Sequence, residues 1–241
     1  MNEFIDKLLP LENDLFFAIN GSGSVFWDNA MWTYTGVMTW VPMIFIIFYI
    51  AFKNQLLKEG LLVLGSIALV LLLSSLVSAT FFKPTFQRYR PSHHPDYKDL
   101  VKILNDFRGG DYGFISGHAT NSFGLAFFFS RLFRNRLVTI SMMFWATLNS
   151  YSRIYLGVHF ISDIVAGFFI GMIIGMLVYE IYKKIRIRYF NIPSSLKRES
   201  IYPKKQGNLL GTVIISYIVL IILLSPFLSS FSHSVIPESW F

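Results

Sequence analysis

The residues of this chain that could do chemistry fall in three short polar segments. These are Lys83 to Arg90-Pro91, then Ser116-Gly117-His118, then Ser152-Arg153 through His159 to Asp163. Asp163 follows His159 by four residues, which places it one helical turn away on the same face. It can therefore accept a hydrogen bond from one ring nitrogen of His159 and leave the other as a nucleophile. Lys83, Arg90 and Arg153 carry charges that suit phosphate oxygens.

The second segment predicts an anion site at a helix start. The unpaired backbone N–H groups and the dipole of such a start favour negative charge, and Gly117 permits close approach. His118 adds a second titratable group, so a nucleophile and an acid for phosphoester hydrolysis are both present. Other interpretations stay open: each cation could be an ordinary flanking charge, and His159 a structural histidine with Asp163 as its partner. A carboxylate inside an apolar segment is costly, however, and is usually functional.

The composition predicts the elements that must position these groups. Of 241 residues, 54% are hydrophobic and 15% are charged, whereas soluble domains are roughly 25% charged. This excludes a disordered, a fibrous and an ordinary water-soluble protein, and zero cysteines exclude disulfides, thiolate metal sites and a cysteine nucleophile. We predict an all-α fold, a polytopic membrane helical bundle. Its six transmembrane helices are predicted at roughly 31–52, 61–82, 114–133, 137–155, 159–182 and 209–229.

The whole chain, 1–241, is predicted to be one domain, and the segments outside the six helices each have an assignment. Residues 1–29 show no cleavable signal peptide and predict an interfacial amphipathic helix. Residues 83–113 form the predicted active-site loop, in which apolar residues at helical spacing predict a short amphipathic helix over 97–107. That helix could act as a lid, a lipid guide or a plain packing element. His93 and His94 are interpreted as solvated loop residues, with control of access or metal binding as alternatives.

The basic residues predict the orientation. Thirteen of the 21 lysines and arginines fall in the loops after the first, third and fifth helices, mainly in the basic loop 183–208. The positive-inside rule places these loops in the cytoplasm. Both termini and the active site then face the periplasmic or outer side of a bacterial inner membrane. Topology explains the net charge of +7, so we expect no nucleic acid partner.

The three segments together resemble the signature of the type 2 phosphatidic acid phosphatase (PAP2) superfamily, and the six-helix layout extends the likeness over most of the chain. The resemblance implies that His159 forms a phosphohistidine, that Asp163 orients it, and that His118 is the acid and then the base. It implies no metal and no cofactor. Many members have proline where this chain has Ile115 and Ile161. The resemblance also implies the phosphate-binding residues Lys83, Arg90, Ser116, Gly117 and Arg153.

The expected function is therefore a membrane lipid phosphatase whose substrate is a lipid phosphate within the bilayer. Undecaprenyl pyrophosphate is ranked first, followed by lipid A phosphate, phosphatidylglycerol phosphate and phosphatidic acid. A lipid phosphotransferase is an alternative. A different class, a transporter or non-enzymatic lipid binder, is disfavoured because both histidines and Asp163 are intact. The sequence leaves the head group, the oligomeric state and the organism open.

Overall fold

The computed structural model describes residues 7–190 and 200–229, which are helical apart from connecting segments and one isolated bridge between Tyr89 and Tyr112. This confirms the all-α fold. A 3₁₀ turn at Val37–Trp40 joins the second and third helices. The helices are α1 (Leu9–Asn20), α2 (Val25–Thr35), α3 (Val41–Phe52), α4 (Leu57–Phe86), α5 (Gly117–Phe133), α6 (Arg136–Tyr155), α7 (Ile161–Tyr189) and α8 (Lys204–Leu228).

The bundle is built around α5, which packs against α4, α6 and α7. Its closest neighbour is α7, and glycines on α7 make this approach possible. A Cβ added to Gly167 would lie 2.9 Å from Cβ of Ala119, and one added to Gly171 would lie 2.6 Å from the carbonyl oxygen of Thr120. Small residues at a helix contact let the two backbones come close together. The first turns of α5 and α7 therefore meet, and these turns carry two of the three polar segments.

Three helices, α4, α7 and α8, are long and apolar enough to cross a membrane, and a fourth span results if α2 and α3 count as one span bent by 69°. Within residues 7–190 and 200–229, the structure thus has a helix, or a bent pair, at each of the six predicted positions, but not six helices of spanning character. The reason lies in α5 and α6. α5 has only 17 residues and opens with a polar turn, and the last turns of α6 include the polar residues Ser150, Ser152 and Arg153.

The helix ends differ from the predicted ones. α4 continues through a π-helical stretch, Leu76–Phe82, so Lys83 lies on its last turn and not beyond it. α7 begins at Ile161, two residues after the predicted start, and continues to Tyr189. α8 begins at Lys204. The connection between α7 and α8 is therefore shorter than the predicted basic loop 183–208, and its residues 191–199 lie outside the described residues.

The bundle has two chemically different ends. At one end, Nε of Arg186 on α7 lies 2.9 Å from Oε1 of Glu59 on α4, and Nε2 of Gln206 donates to the carbonyl of Ile50. Lys83 lies 24 residues after Glu59 on the same helix, roughly 36 Å away at 1.5 Å per residue. The polar segments lie at this second end.

The predicted helix over 97–107 is wrong, because the segment consists of turns. Asn105 and Asp106 have positive φ angles of 51° and 56°, which an α-helix does not allow. Val101 is buried against α1, α6 and Phe160, whereas Phe107 is buried in a separate cluster with Trp32 and Val158. The helical spacing therefore reflects two burial sites and not one helical face, and the segment packs against the bundle through both.

The interpretation of His94 as a solvated residue is also wrong. The residue is 8% exposed, and the centre of its ring lies 4.8 Å from that of Tyr97 and 6.2 Å from that of Phe160. His93 is more open, and its Nε2 lies 3.9 Å from Oδ1 of Asp111. Of the predicted N-terminal segment 1–29, residues 1–6 lie outside the described residues. The rest forms α1 and the start of α2, and Phe16 of α1 is buried against Phe160.

Candidate active site

Four elements bring the predicted site residues together at the second end of the bundle. These elements are the last turn of α4 with the loop after it, the start of α5, the end of α6 with the turn after it, and the start of α7. The short turn from α6 to α7 contains Gly157, whose φ of +68° favours glycine. All eight predicted residues meet here, namely Lys83, Arg90, Ser116, Gly117, His118, Arg153, His159 and Asp163.

The ring of His159 is held from both sides. Its Nδ1 lies 3.3 Å from Oδ2 of Asp163, and its Nε2 lies 3.5 Å from Nη1 of Arg90. A carboxylate at Nδ1 fixes the tautomer with the proton on Nδ1, so the lone pair of Nε2 points toward the cations. This is the arrangement required of a histidine nucleophile.

Asp163 is fully buried and its carboxylate is hydrogen-bonded through both oxygens. Oδ2 also accepts from the backbone N–H of Phe160 at 3.0 Å, and Oδ1 accepts from Nη1 of Arg88 at 2.8 Å. The backbone of the two helices is joined here as well, because the N–H of Ser116 donates to the carbonyl of Asp163 at 3.1 Å. Gly113 lies against the same carboxylate, and a Cβ there would be 3.0 Å from Oδ2. The position of Asp163 is therefore fixed by several independent contacts.

Three cations, Lys83, Arg90 and Arg153, converge on His118 and His159. Arg90 is 3% exposed, and burial lowers its pKa to about 10, so it stays charged at neutral pH. Arg153 is 0% exposed; its Nη1 donates to Oγ1 of Thr35 at 2.8 Å, and its guanidinium lies 5.4 Å from the ring centroid of Phe107. Nε and Nη2 of Arg153 and Nε of Arg90 find no hydrogen-bond partner among the described residues. Such a group of donors is suited to the oxygens of a phosphoryl group.

Ser116 and Gly117 form the start of α5 as predicted. Ser116 is the N-cap and its Oγ accepts from the N–H of Ala119 at 3.3 Å, which leaves the hydroxyl proton free to donate. Gly117 is the first helical residue, and a Cβ there would lie 3.2 Å from Oγ of Ser78 on α4. His118 follows in the same turn, with Lys83, Arg90, Arg153 and His159 near enough to act on its ring electrostatically.

The site is closed in this structure. His159 is 1% exposed because the Arg90 guanidinium lies across Nε2. Gly109, with a φ of +68°, covers that guanidinium so closely that a Cβ would lie 2.8 Å from Nη1. His159 precedes the first residue of α7, and burial together with Arg90, Arg153 and Lys83 lowers its pKa well below 6.5. The ring is therefore neutral at pH 7, and its Nε2 faces the Arg90 guanidinium.

The structure adds residues that the sequence did not single out. Arg88 is 1% exposed and bridges Asp163 to Glu12 of α1, with Nη2 of Arg88 2.8 Å from Oε1 of Glu12. Glu12 also accepts from the backbone N–H of Ser162 at 2.7 Å and from its hydroxyl at 2.8 Å. The sequence held one indication that Arg88 belongs to the site, since it lies two residues before Arg90. Nothing in the sequence connects Glu12 to a residue 150 positions away.

The comparison with known families decides the identity. The family model of the PAP2 superfamily matches residues 59–187, which covers all three polar segments. The chain belongs to the PAP2 superfamily. The match confirms the resemblance drawn from the signature, and with the apolar helices it makes the chain an integral membrane PAP2 phosphatase.

Two curated relatives are similar over most of the chain. The lipid A 4'-phosphatase of Porphyromonas gingivalis is 40% identical over 198 residues, which are 82% of this chain and 84% of that protein. The lipid A 4'-phosphatase of Bacteroides thetaiotaomicron is 43% identical over 185 residues, which are 76% of this chain and 82% of that protein.

Two solved structures share the fold. The PAP2-type phosphatidylglycerolphosphate phosphatase of Bacillus subtilis superposes with a TM-score of 0.57 and 25% identity, covering 76% of this chain and 90% of that one. Aquifex aeolicus LpxE superposes with a TM-score of 0.53 and 24% identity, covering 70% of this chain and 95% of that one. The PAP2 helical arrangement therefore extends beyond the matched residues 59–187.

Proposed function

We propose that this PAP2 phosphatase removes the 4'-phosphate of lipid A. The observation that carries the substrate is the 40% and 43% identity to two proteins named lipid A 4'-phosphatase, over most of both chains. This replaces the ranking drawn from the sequence alone, which placed undecaprenyl pyrophosphate first and lipid A second. That ranking rested on family analogy and on the appearance of undecaprenyl pyrophosphate on the outer face of the membrane in every cell-wall cycle. Nothing in the comparisons supports the first choice over the second.

The geometry of His159 supports a covalent first step. Nε2 attacks the phosphorus, the bond from phosphorus to the lipid oxygen breaks, and His118 gives a proton to that oxygen. His118 then takes a proton from water, the water oxygen attacks the phosphohistidine, and the phosphorus–nitrogen bond breaks to release inorganic phosphate. The contact between Asp163 and Nδ1 at 3.3 Å supports the role of Asp163 in orienting the ring and stabilising it as charge develops.

The cations supply the electrostatic part of the mechanism. Charge spreads over the three equatorial phosphoryl oxygens in the transition state. Lys83, Arg90 and Arg153 are positioned to bind these oxygens, with Ser116 and the backbone at Gly117 as further donors. Hydrogen-bond donors that are held in place stabilise the charge of the transition state more strongly in a site without water than in solution. We propose that these residues act without a metal or cofactor.

We further propose that all six predicted helices cross the membrane, with α2 and α3 as one bent span and α5 and α6 as interior spans. Apolar side chains on the outer surface of α4, α7 and α8 support this arrangement, including Leu72, Ile173 and Leu223, each at least half exposed. The basic residues at the Glu59 end support a cytoplasmic location for that end. The active site and both termini then face outward in the inner membrane. The partners are the lipid substrate and surrounding membrane lipids.

A rate comparison tests the substrate. Purified protein in one detergent is given lipid A, undecaprenyl pyrophosphate and phosphatidylglycerol phosphate, and phosphate release is followed. We expect the initial rate on lipid A to exceed the others at least tenfold, and mass spectrometry of the product to place the loss on the 4' position. The His159→Ala variant, folded and inserted, should release no phosphate. A higher rate on undecaprenyl pyrophosphate would restore the earlier ranking, and turnover by His159→Ala would exclude the nucleophile.

A further inference from the structure

The start of α7 is completed by a residue from the other end of the chain. The N-cap of α7 is Phe160, which has no side-chain oxygen to satisfy the first N–H groups of the helix. Glu12 of α1 supplies the missing acceptor, because its Oε2 accepts a hydrogen bond from the N–H of Ser162 at 2.7 Å. Asp163 is the next residue. The helix turn that carries the orienting carboxylate is therefore capped by α1.

The same Glu12 carboxylate holds Arg88. Nη2 of Arg88 donates to Oε1 of Glu12 at 2.8 Å, while Nη1 donates to Oδ1 of Asp163 at 2.8 Å and to Oγ of Ser162 at 2.6 Å. The guanidinium also lies 4.6 Å from the ring centroid of Phe160. Arg88 and Asp163 have side-chain exposures of 0%, and Glu12 of 9%. In such surroundings a planar guanidinium between two carboxylates fixes both position and charge.

We propose that Glu12 and Arg88 are positioning residues for catalysis, acting through Asp163 on the His159 ring, so that α1 is a functional part of the active site. This inference rests on the proposed role of His159 as nucleophile. Arg88 holds Oδ1 of Asp163, which leaves Oδ2 aimed at Nδ1 of His159. Glu12 holds Arg88 and balances its charge, so that Arg88 does not withdraw the Asp163 carboxylate from the histidine.

The two residues should act on His159 with opposite sign. Removal of the Arg88 charge strengthens the field of Asp163 at the ring, favours the imidazolium and moves the acid limb of kcat/KM to higher pH. Removal of the Glu12 charge leaves Arg88 less balanced and moves the limb to lower pH. The other charged groups around His159 are Arg90, Arg153, Lys83 and His118, and they are the same in every variant. General disruption of the fold has no reason to give opposite shifts.

The experiment compares wild type, Arg88→Gln, Arg88→Lys, Glu12→Gln and the double variant Glu12→Gln/Arg88→Gln, each purified in detergent. At metal sites, loss of a hydrogen-bonding partner that orients a ligating side chain typically costs 10- to 100-fold in activity, and a partner that orients a catalytic carboxylate acts in the same way. We expect Arg88→Gln to lose about this factor in kcat, with KM within about threefold of wild type. Glu12→Gln should lose less, and the double variant should be close to Arg88→Gln alone, because both act through one contact. Arg88→Lys should recover part of kcat.

Glu59→Gln is the matched control, since the Glu59–Arg186 pair also joins two elements and is equally short at 2.9 Å, but lies at the opposite end. We expect it to lower the melting temperature and to leave kcat and the acid limb unchanged. An unchanged kcat in Arg88→Gln, the same direction of limb shift in Arg88→Gln and Glu12→Gln, or an equal loss in Glu59→Gln would each overturn the proposal. If Arg88→Gln does not fold, Arg88→Lys and Glu12→Gln decide it by the same criteria.

Failure of the substrate proposal is visible separately. The variants are measured on whichever lipid phosphate the wild type hydrolyses fastest, so a low rate on lipid A refutes the substrate but leaves the ratios between variants intact. Turnover by His159→Ala would instead remove the basis of the proposed nucleophile and of the positioning role of Glu12 and Arg88.

Discussion

Replacement of Arg153 by methionine should leave the protein as stable as the wild type or more stable, while removing most of its activity. Arg153 is fully buried, and only its Nη1 is hydrogen-bonded to a neighbouring side chain, Thr35. Relief of two buried unpaired donors, Nε and Nη2, is worth about 2–6 kcal/mol. Loss of the bond to Thr35 and of the stacking on Phe107 costs about 2–5 kcal/mol.

The midpoints of these two ranges leave a gain of about 0.5 kcal/mol. Relief of the repulsion from Arg90 adds to it, so we expect a net change between zero and about 2 kcal/mol of added stability. For a chain of this size that corresponds to a melting temperature up to about 8 °C higher. The loss of a donor to the transition-state oxygens should lower kcat by about 10²- to 10³-fold. Stability and activity thus change in opposite directions at one position.

The assay is thermal unfolding followed by tryptophan fluorescence at one scan rate, with and without orthovanadate, together with phosphate release. Vanadate mimics the five-coordinate phosphoryl group, and it should raise the melting temperature of wild type more than that of Arg153→Met. Arg186→Met is the control: it leaves Glu59 without its partner, so it should destabilise by about 3 kcal/mol and keep full activity. Unfolding of Arg153→Met more than about 6 °C below wild type, or a kcat above a tenth of wild type, would refute the reasoning.

Three further predictions concern the acid, the cover of the site and the topology. His118→Ala should lose far less activity on a substrate with a good leaving group than on a lipid phosphate, because such a group needs little protonation; equal losses would exclude the acid role. Gly109→Ala should lower kcat, because a φ of +68° strains alanine by about 1–2 kcal/mol and the added Cβ would press on the Arg90 guanidinium. A phosphate-release rate equal to that of wild type would show that Arg90 and residue 109 move apart without a cost to catalysis. In intact cells a cysteine at Asp99 should react with an impermeant thiol reagent and one at Lys205 should not, both positions being exposed; the reverse pattern would invert the proposed orientation.

The sequence predicted the site better than its surroundings. His159 and Asp163 are four residues apart and in contact at the start of α7, and Ser116 caps a helix, so local spacing was enough for both. The meeting of these segments with Lys83 followed from the alternation of helices across a membrane. Glu12 could not be predicted, because its contact with Arg88 depends on where α1 packs, which no local pattern specifies.

The errors have the same origin. The segment 97–107 has helical spacing of its apolar residues, but Val101 and Phe107 are buried in different clusters, and tertiary contacts decide its conformation. Two of the six predicted spans, α5 and α6, are not among the described helices that are long and apolar enough to cross a membrane, for a similar reason. α5 is surrounded by other helices, so its outward face need not be apolar, and polar residues of the site take up its first turn.

The glycines of α7 have a consequence for how genomes are interpreted. A relative with alanine or a larger residue in place of Gly171 would retain every residue of the three-part signature. Its Cβ would nevertheless meet the Thr120 carbonyl at 2.6 Å, so α5 and α7 would separate by a fraction of an ångström or more, and with them the two histidines. A misplacement of about 1 Å at a reacting centre costs on the order of 10²-fold in rate. Among natural homologues, the residue at this buried contact between two helices should therefore separate active enzymes from inactive copies that a motif search counts as active.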